Sequence, residues 1–248
     1  MIDTHCHLEK KTYPNLDEII SHMGDNKMIV AGYDLDSSKE VIDLVSKYPN
    51  IYGVIGFQPE EIHKFDDSFY SFLEENILND KIVGVGEIGL DYHFTKENSE
   101  KQKEIFIKQI KIANKYNKPI VIHSRDAYED TYNILRDAAH YGIMHCYSGS
   151  LEMANEFIKL GFYISLGGPV TFKNAKESKR VASSIPLDKL LVETDCPYLA
   201  PSPFRGSRNE SSYVVRVVEE VACLRNMSVS DVADITTQNA INLFKLED

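Results

Sequence analysis

Short apolar runs alternate with longer amphipathic stretches along the whole chain. The runs at 2–6, 28–32, 51–56, 82–86, 119–123, 142–145, 162–166 and 190–194 are the candidate strands. Ile82-Val-Gly-Val-Gly86 and Pro119-Ile-Val-Ile-His123 carry apolar residues without alternation, as a parallel strand buried on both faces does. Between the runs the period changes. In 101–116, Ile105, Ile107, Ile110, Ile112 and Ala113 form a stripe among lysines. In 208–225, Val214, Val217, Val218, Val221 and Leu224 do the same. Both are patterns of helices that bury one face. Asn15 or Asp17, Ser37, Ser99 and Asn209 are placed to cap helix N-termini. Residues 227–248 predict one or two further helices.

The strand ends fall near 7, 32, 56, 87, 123, 145, 166 and 194. Their spacing, about 27 residues, is that of one strand–helix unit. Eight such units predict an α/β TIM (β/α)8 barrel, a single domain over 1–248 with extra C-terminal helices. A doubly wound open sheet is the other arrangement, but no glycine-rich dinucleotide fingerprint follows the first run.

Composition adds exclusions. With 43% hydrophobic and 26% charged residues, the chain is neither disordered nor collagen-like. No apolar run approaches the ~18 residues of a membrane span. Met1-Ile-Asp-Thr-His-Cys-His7 lacks the basic region and apolar core of an export signal. Cys6, Cys146, Cys196 and Cys223 show no CxxC or zinc-finger spacing. These features predict a reduced, cytoplasmic protein without a membrane partner. The net charge of −11 argues against general attraction to nucleic acid, though not against a local anion site. All seven arginines lie from Arg125 onward.

The polar residues at the strand ends supply the chemistry. His5 and His7 end the first strand, Glu87 the fourth, His123 the fifth, His145 the sixth and Asp195 the eighth. In a barrel these ends converge on one mouth. His5 and His7 share a strand face, ~6.6 Å apart, with Cys6 turned the other way. The same alternation turns Cys146 and Cys196 away from the mouth. Four imidazoles and two carboxylates exceed the needs of one tetrahedral zinc. They suit two divalent ions ~3.5–4 Å apart. Zn, Mn, Co or Ni fit these donors better than Mg alone. Of the other histidines, His22 and His140 fall on helices facing solvent, and His63 and His93 in loops at the mouth.

Motifs along the chain resemble the TatD family of metal-dependent deoxyribonucleases. They are His5-Cys-His7, Gly86-Glu-Ile-Gly-Leu-Asp-Tyr92, Ile122-His-Ser-Arg-Asp-Ala127, His145-Cys-Tyr-Ser-Gly149, Glu193-Thr-Asp-Cys-Pro-Tyr-Leu-Ala-Pro201 and Arg205-Gly-Ser-Arg-Asn-Glu210. The resemblance runs from residue 1 to about 245. It implies a TIM barrel, a divalent-metal site and hydrolysis of DNA phosphodiester bonds, often from the 3′ end. It also implies His5, His7, Glu87, His123, His145 and Asp195 as metal ligands, with Glu87 bridging. Two positions depart from the family pattern. Gly56-Phe-Gln-Pro59 stands where the family has Gly-x-His-Pro, and Ser211 follows Glu210 where a proline is frequent. The resemblance implies that the residue at this position faces the substrate phosphate; Gln58 can donate a hydrogen bond there but carries no charge.

On this reading Asp195 is the general base, Glu87 the second catalytic carboxylate, and Gln58, Arg125 and Arg205 bind substrate. Arginine forks suit phosphate. Arg208 is open between a phosphate and a structural role. Lys173, Lys176, Lys179 and Arg180 lie on nearly one helical face, either a DNA track or a solvated surface. Tyr92, Phe94, Tyr147 and Phe204 either stack on bases or pack. The expected partner is DNA, with a strand end at the mouth; protein partners are not readable. The alternative is another barrel hydrolase acting on amide, lactone or ester bonds, such as a D-aminoacyl-tRNA deacylase. Many such two-metal enzymes bridge with a carboxylated lysine, and Glu87 stands in its place. A barrel that binds without catalysing would lack ligands, and this chain lacks none of the six.

Overall fold

The strands β1 (Ile2–Cys6), β2 (Lys27–Ala31), β3 (Ile51–Ile55), β4 (Ile82–Asp91), β5 (Ile120–Arg125), β6 (Gly142–Met144), β7 (Tyr163–Leu166) and β8 (Leu190–Val192) pair in parallel, in chain order. This is seen in a computed structural model that describes residues 1–94, 96–138 and 140–246. The seam between β8 and β1 is held by Asp195 N donating to His5 O at 3.0 Å and His7 N donating to Cys196 O at 2.7 Å. The Thr4 hydroxyl adds a bond to Val192 O at 2.9 Å. Around this barrel lie α1 (Leu16–Ser21), α2 (Leu35–Lys47), α3 (Ser68–Asn76), α4 (Ser99–Tyr116), α5 (Tyr128–Ala138), α6 (Leu151–Lys159), α7 (Lys176–Ser184) and α8 (Val214–Arg225). The fold is the predicted (β/α)8 barrel.

Strand alternation explains the unbroken apolar runs. Met28, Val30, Ile120, Ile122 and Leu190 pack outward under the helices. Ile29, Tyr52, Val54, Val83, Val121, Ile143 and Leu191 form a separate inner cluster. The last helix, α9 (Val229–Phe244), lays Ala240, Leu243 and Phe244 against that inner cluster. It therefore plugs the N-terminal end of the barrel and leaves the C-terminal end open. Burying a side chain of this size contributes about 1.5–3 kcal/mol.

Several local expectations change. The 227–248 segment holds α9 as its helix among the described residues, and Glu247 and Asp248 lie outside them. Ser37 is not the cap of α2. Asp34 is, accepting from Ser37 N at 2.9 Å, while the Ser37 hydroxyl accepts from Asp34 N in return. Asn15 stands at the α1 cap position without a capping bond, and Ser99 is the first helical residue after Asn98. Asn209 is buried in the loop before α8 and ties it together, donating to Thr194 O at 2.8 Å and Tyr198 O at 2.7 Å. On α4 the exposed Ile107 drops out of the stripe, and Phe106 is buried instead. His140 is not on a helix. It lies buried before β6, 2.8 Å from Lys118 O.

The change that matters most for the open end is in β4, which runs on to Asp91. Its register against β5 continues to Asp91 opposite Arg125. Gly89, at φ 146°, permits this, because a Cβ there would collide with the His123 carbonyl. Glu87 thus sits inside a strand rather than at its end.

Candidate metal centre

The alternation that turns Val121 and Ile143 inward places His123 and His145, two residues further on, above the inner core at the open end. β8 ends at Val192, and Asp195 reaches the centre from the following turn, at φ 55°. Left-handed backbone at a non-glycine residue is a strained conformation of the kind concentrated at functional sites. Cys146 has it too, at φ 42°. That rotation breaks the strand alternation after His145, so Cys146 lines the mouth, contrary to the sequence expectation. Cys6 and Cys196 do turn away and are fully buried.

All six predicted ligands converge, and Glu87 divides them into two sets. Its Oε2 lies 3.7 Å from His5 Nε2 and 3.6 Å from His7 Nε2. Asp195 Oδ1 is 3.8 Å from His5 Nε2 and 3.5 Å from His7 Nε2, and the two imidazole nitrogens are 3.3 Å apart. The other carboxylate oxygen, Oε1, faces His123 Nδ1 at 2.9 Å and His145 Nε2 at 3.2 Å.

The first set fits a cation. Four donors around an ion at ~2.0–2.1 Å in a tetrahedron sit about 3.3–3.4 Å from one another. The five separations above lie close to that edge length. The second set offers three protein atoms, which leaves coordination open.

Three of the four histidines are fixed from behind. His7 Nδ1 donates to Ala31 O at 2.9 Å, His123 Nε2 to Asp91 at 3.0 Å and His145 Nδ1 to Glu193 at 3.1 Å. Such outer partners set which nitrogen faces a metal and raise its basicity. Glu193 also accepts from Cys146 N at 2.7 Å, and its second oxygen is buried without a hydrogen-bond partner among the described residues. Sequence reasoning assigned no role to Asp91 or Glu193. The available signal was their period-two spacing from Glu87 and Asp195 within the same motifs. Glu60, 4.0 Å from His123 Nε2, was missed as well.

Electrostatics follow this geometry. Burial alone would make Glu87 neutral, but His145 and His123 outweigh it and hold the carboxyl well below its usual range. Burial would also discharge His7. Its contact with Asp195 and the charge of Glu87 instead raise it to about 9. His123, between Asp91 and Glu87, is likewise pushed up to about 9, and His145 is raised by Glu87 and Glu193 against its burial. His5 is driven down by burial and by the neighbouring imidazoles. Its Nδ1 is buried without a hydrogen-bond partner among the described residues.

The centre opens into a cavity of about 670 Å³. Gln58, Arg125, Phe94 and Tyr147 are in its wall. The Arg125 guanidinium lies 4.6 Å over Phe94 and forms no ion pair among the described residues. Asp126 is taken by His93, at 3.1 Å. Arg205 is not in the cavity wall. It lies 4.4 Å over Phe172, outside the position expected for it. Arg208 is structural, donating to Thr12 O at 2.7 Å. Tyr92 is committed to Asp130, and Phe204 stacks on Tyr213 at 4.1 Å. His63 is exposed, and His22, at the end of α1, contacts Glu210 at 3.2 Å.

Residues 2–245 match the family model described as TatD related DNase. An uncharacterized metal-dependent hydrolase of Bacillus subtilis, YabD, is 44% identical over 99% of both chains. Another from Escherichia coli, YcfH, is 37% identical over 100% of this chain and 96% of its own. Among solved structures, the crystal structure of YjjV, a TatD homolog from Escherichia coli K12, superposes with a TM-score of 0.92. It is 29% identical, over 100% of this chain and 98% of that one.

Proposed function

Since this chain belongs to the TatD family and is a metal-dependent hydrolase, we propose that it is a deoxyribonuclease acting on a DNA strand end at the barrel mouth, in the 3′ to 5′ direction. The observation that carries the reading is Glu87, which presents one carboxylate oxygen to each of two ligand sets. His5, His7, Glu87 and Asp195 would hold one divalent ion, and His123, His145 and Glu87 a second, with Zn, Mn, Co or Ni suited to both. When bound, such a pair lowers the pKa of a water toward 7 and offsets charge on phosphate oxygens.

The chain's own residues do the rest. Asp195 borders the open cavity and accepts the proton of the attacking water. Arg125, without a carboxylate partner among the described residues and steadied on Phe94, offers its fork to the non-bridging oxygens. Gln58 adds a hydrogen bond from the same wall but has no proton to give a leaving oxygen. An anionic diester suits a wall with an unmatched guanidinium better than a neutral amide does. The four free cysteines support a reducing, cytoplasmic setting.

The test is a substrate panel on the purified chain loaded with each metal, with and without chelator. It compares single- and double-stranded DNA, RNA, D-aminoacyl-tRNA, lactones and amides. DNA should be cleaved, and chelation should stop it. Inert DNA beside turnover of an amide or ester would replace this reading with the other hydrolase class.

A further inference from the structure

The chain is acidic, and much of its exposed positive charge is already matched. Lys179 pairs with Glu220 at 2.8 Å and Arg180 with Glu152 at 2.5 Å, so the cationic face of α7 is partly neutralised. Three neighbouring cations differ. Lys173 and Lys176, after β7, and Arg205, after β8, are exposed and form no ion pair with a carboxylate among the described residues.

These cations are gathered by the fold. Ser202 N donates to Thr171 Oγ1 at 2.8 Å, which ties the two loops together. Arg205 lies over Phe172, the residue before Lys173. Val170 and Ser178 from one of these segments, and Tyr198 and Leu199 from the other, line the catalytic cavity. The cations therefore border the mouth on the β7–β8 side. The opposite side carries the reverse charge. Glu60 and Glu61 line the cavity there; Lys64 reaches Glu61 at 2.5 Å and is shared with Asp34 at 3.5 Å, and it forms no ion pair with Glu60 among the described residues. A polyanion held at the metal centre meets attraction over one lip and repulsion over the other.

We propose that Lys173, Lys176 and Arg205 form a backbone track over the β7–β8 lip, which takes the phosphates next to the reacting strand end. The track rests on the nuclease reading above and adds to it the side of the mouth over which the rest of the strand runs.

The experiment uses the full metal-loaded chain and a fluorescein-labelled single-stranded DNA dodecamer. Binding is read by anisotropy and cleavage by KM, beside the small diester bis(p-nitrophenyl) phosphate. The triple variant Lys173→Ala, Lys176→Ala, Arg205→Ala removes three phosphate contacts. The slope of log K against log salt should flatten by about 2, and strand affinity at 0.1 M salt should fall about 100-fold. The loss for the dodecamer should exceed that for the small diester by a similar factor. The variant Lys173→Arg, Lys176→Arg, Arg205→Lys should restore binding.

Lys39→Ala, Lys101→Ala, Lys111→Ala removes the same charge elsewhere and should change affinity less than about threefold. Equal losses from the two alanine triples, or no loss from the lip triple, would overturn the track. So would wild-type protein that fails to bind the strand. Wild type that binds the dodecamer yet hydrolyses neither substrate would refute the nuclease reading separately, while the binding comparison still decides the track.

Discussion

The two halves of the centre hold equal numbers of histidines but are built differently. His5, His7 and Asp195 come from the β8–β1 seam and, with Glu87 Oε2, form a nearly complete tetrahedral cage. His123 stands on β5 and His145 just past the end of the neighbouring β6, and both face Glu87 Oε1. Behind the first pair of imidazoles is one backbone carbonyl; behind the second are two carboxylates, Asp91 and Glu193. A closed donor set favours tight, structural-style binding, and an open one leaves room for water and substrate. On the proposed reading the first half would retain its ion, with Asp195 facing the cavity, and the second would exchange its ion more readily.

Asp195→Asn tests the division most severely. It removes the proposed base and weakens one donor of the first half, so kcat should fall about 10²–10⁴-fold. Metal analysis should still find the second half loaded, because Asp195 contributes nothing to it. Undiminished turnover would remove Asp195 as the base. Equal metal loss from both halves would show that they are one unit.

A smaller effect is expected from the carboxylates behind the imidazoles. Asp91→Asn and Glu193→Gln keep shape and hydrogen-bonding capacity but remove the charge behind His123 and His145. Outer partners of this kind are worth about 10–100-fold in metal affinity. Titration with a competing chelator should show the loss in the second half alone. A loss shared with the first half would show that Glu87 and the stacked His5–His145 pair couple the two.

Much of this was legible in the sequence, for identifiable reasons. The strands could be read because burial on both faces removes polar residues from β3 and β6 entirely. The convergence of the six candidate ligands could be read because five of them stand at or just past the end of an apolar run, the sixth being His5 within the first. The extension of β4 to Asp91 could not, since it depends on Gly89 meeting His123 across the strand pair. Cys146 defied alternation because its backbone is left-handed, which no residue pattern announces. Arg205 missed the cavity because a loop's direction is set by its tertiary contacts, here Phe172. Asp91 and Glu193 act on the far nitrogens of histidines from other strands, and only the assembled barrel makes those neighbours.

Acidification offers the mildest test, and it too separates the halves. An imidazolium has no lone pair for a metal, so each protonated ligand must release its proton on loading. In the metal-free first half, His7 is held protonated up to about 9, whereas His5 is pushed down and is neutral near pH 7. One proton then competes with the metal, and affinity should fall about tenfold per pH unit below 9. In the second half His123 is held up to about 9 and His145 is raised as well, so two protons compete and the fall is steeper. The sign is the same for both: binding strengthens as pH rises and levels off above the raised pKa values. As pH drops, the second half should empty first. Metal titrations from about pH 8.5 to about pH 6.5, with released protons counted, would show it. Equal proton counts from the two sites would mean that the carboxylates behind His123 and His145 do not distinguish them, and the asymmetry would reduce to donor number alone.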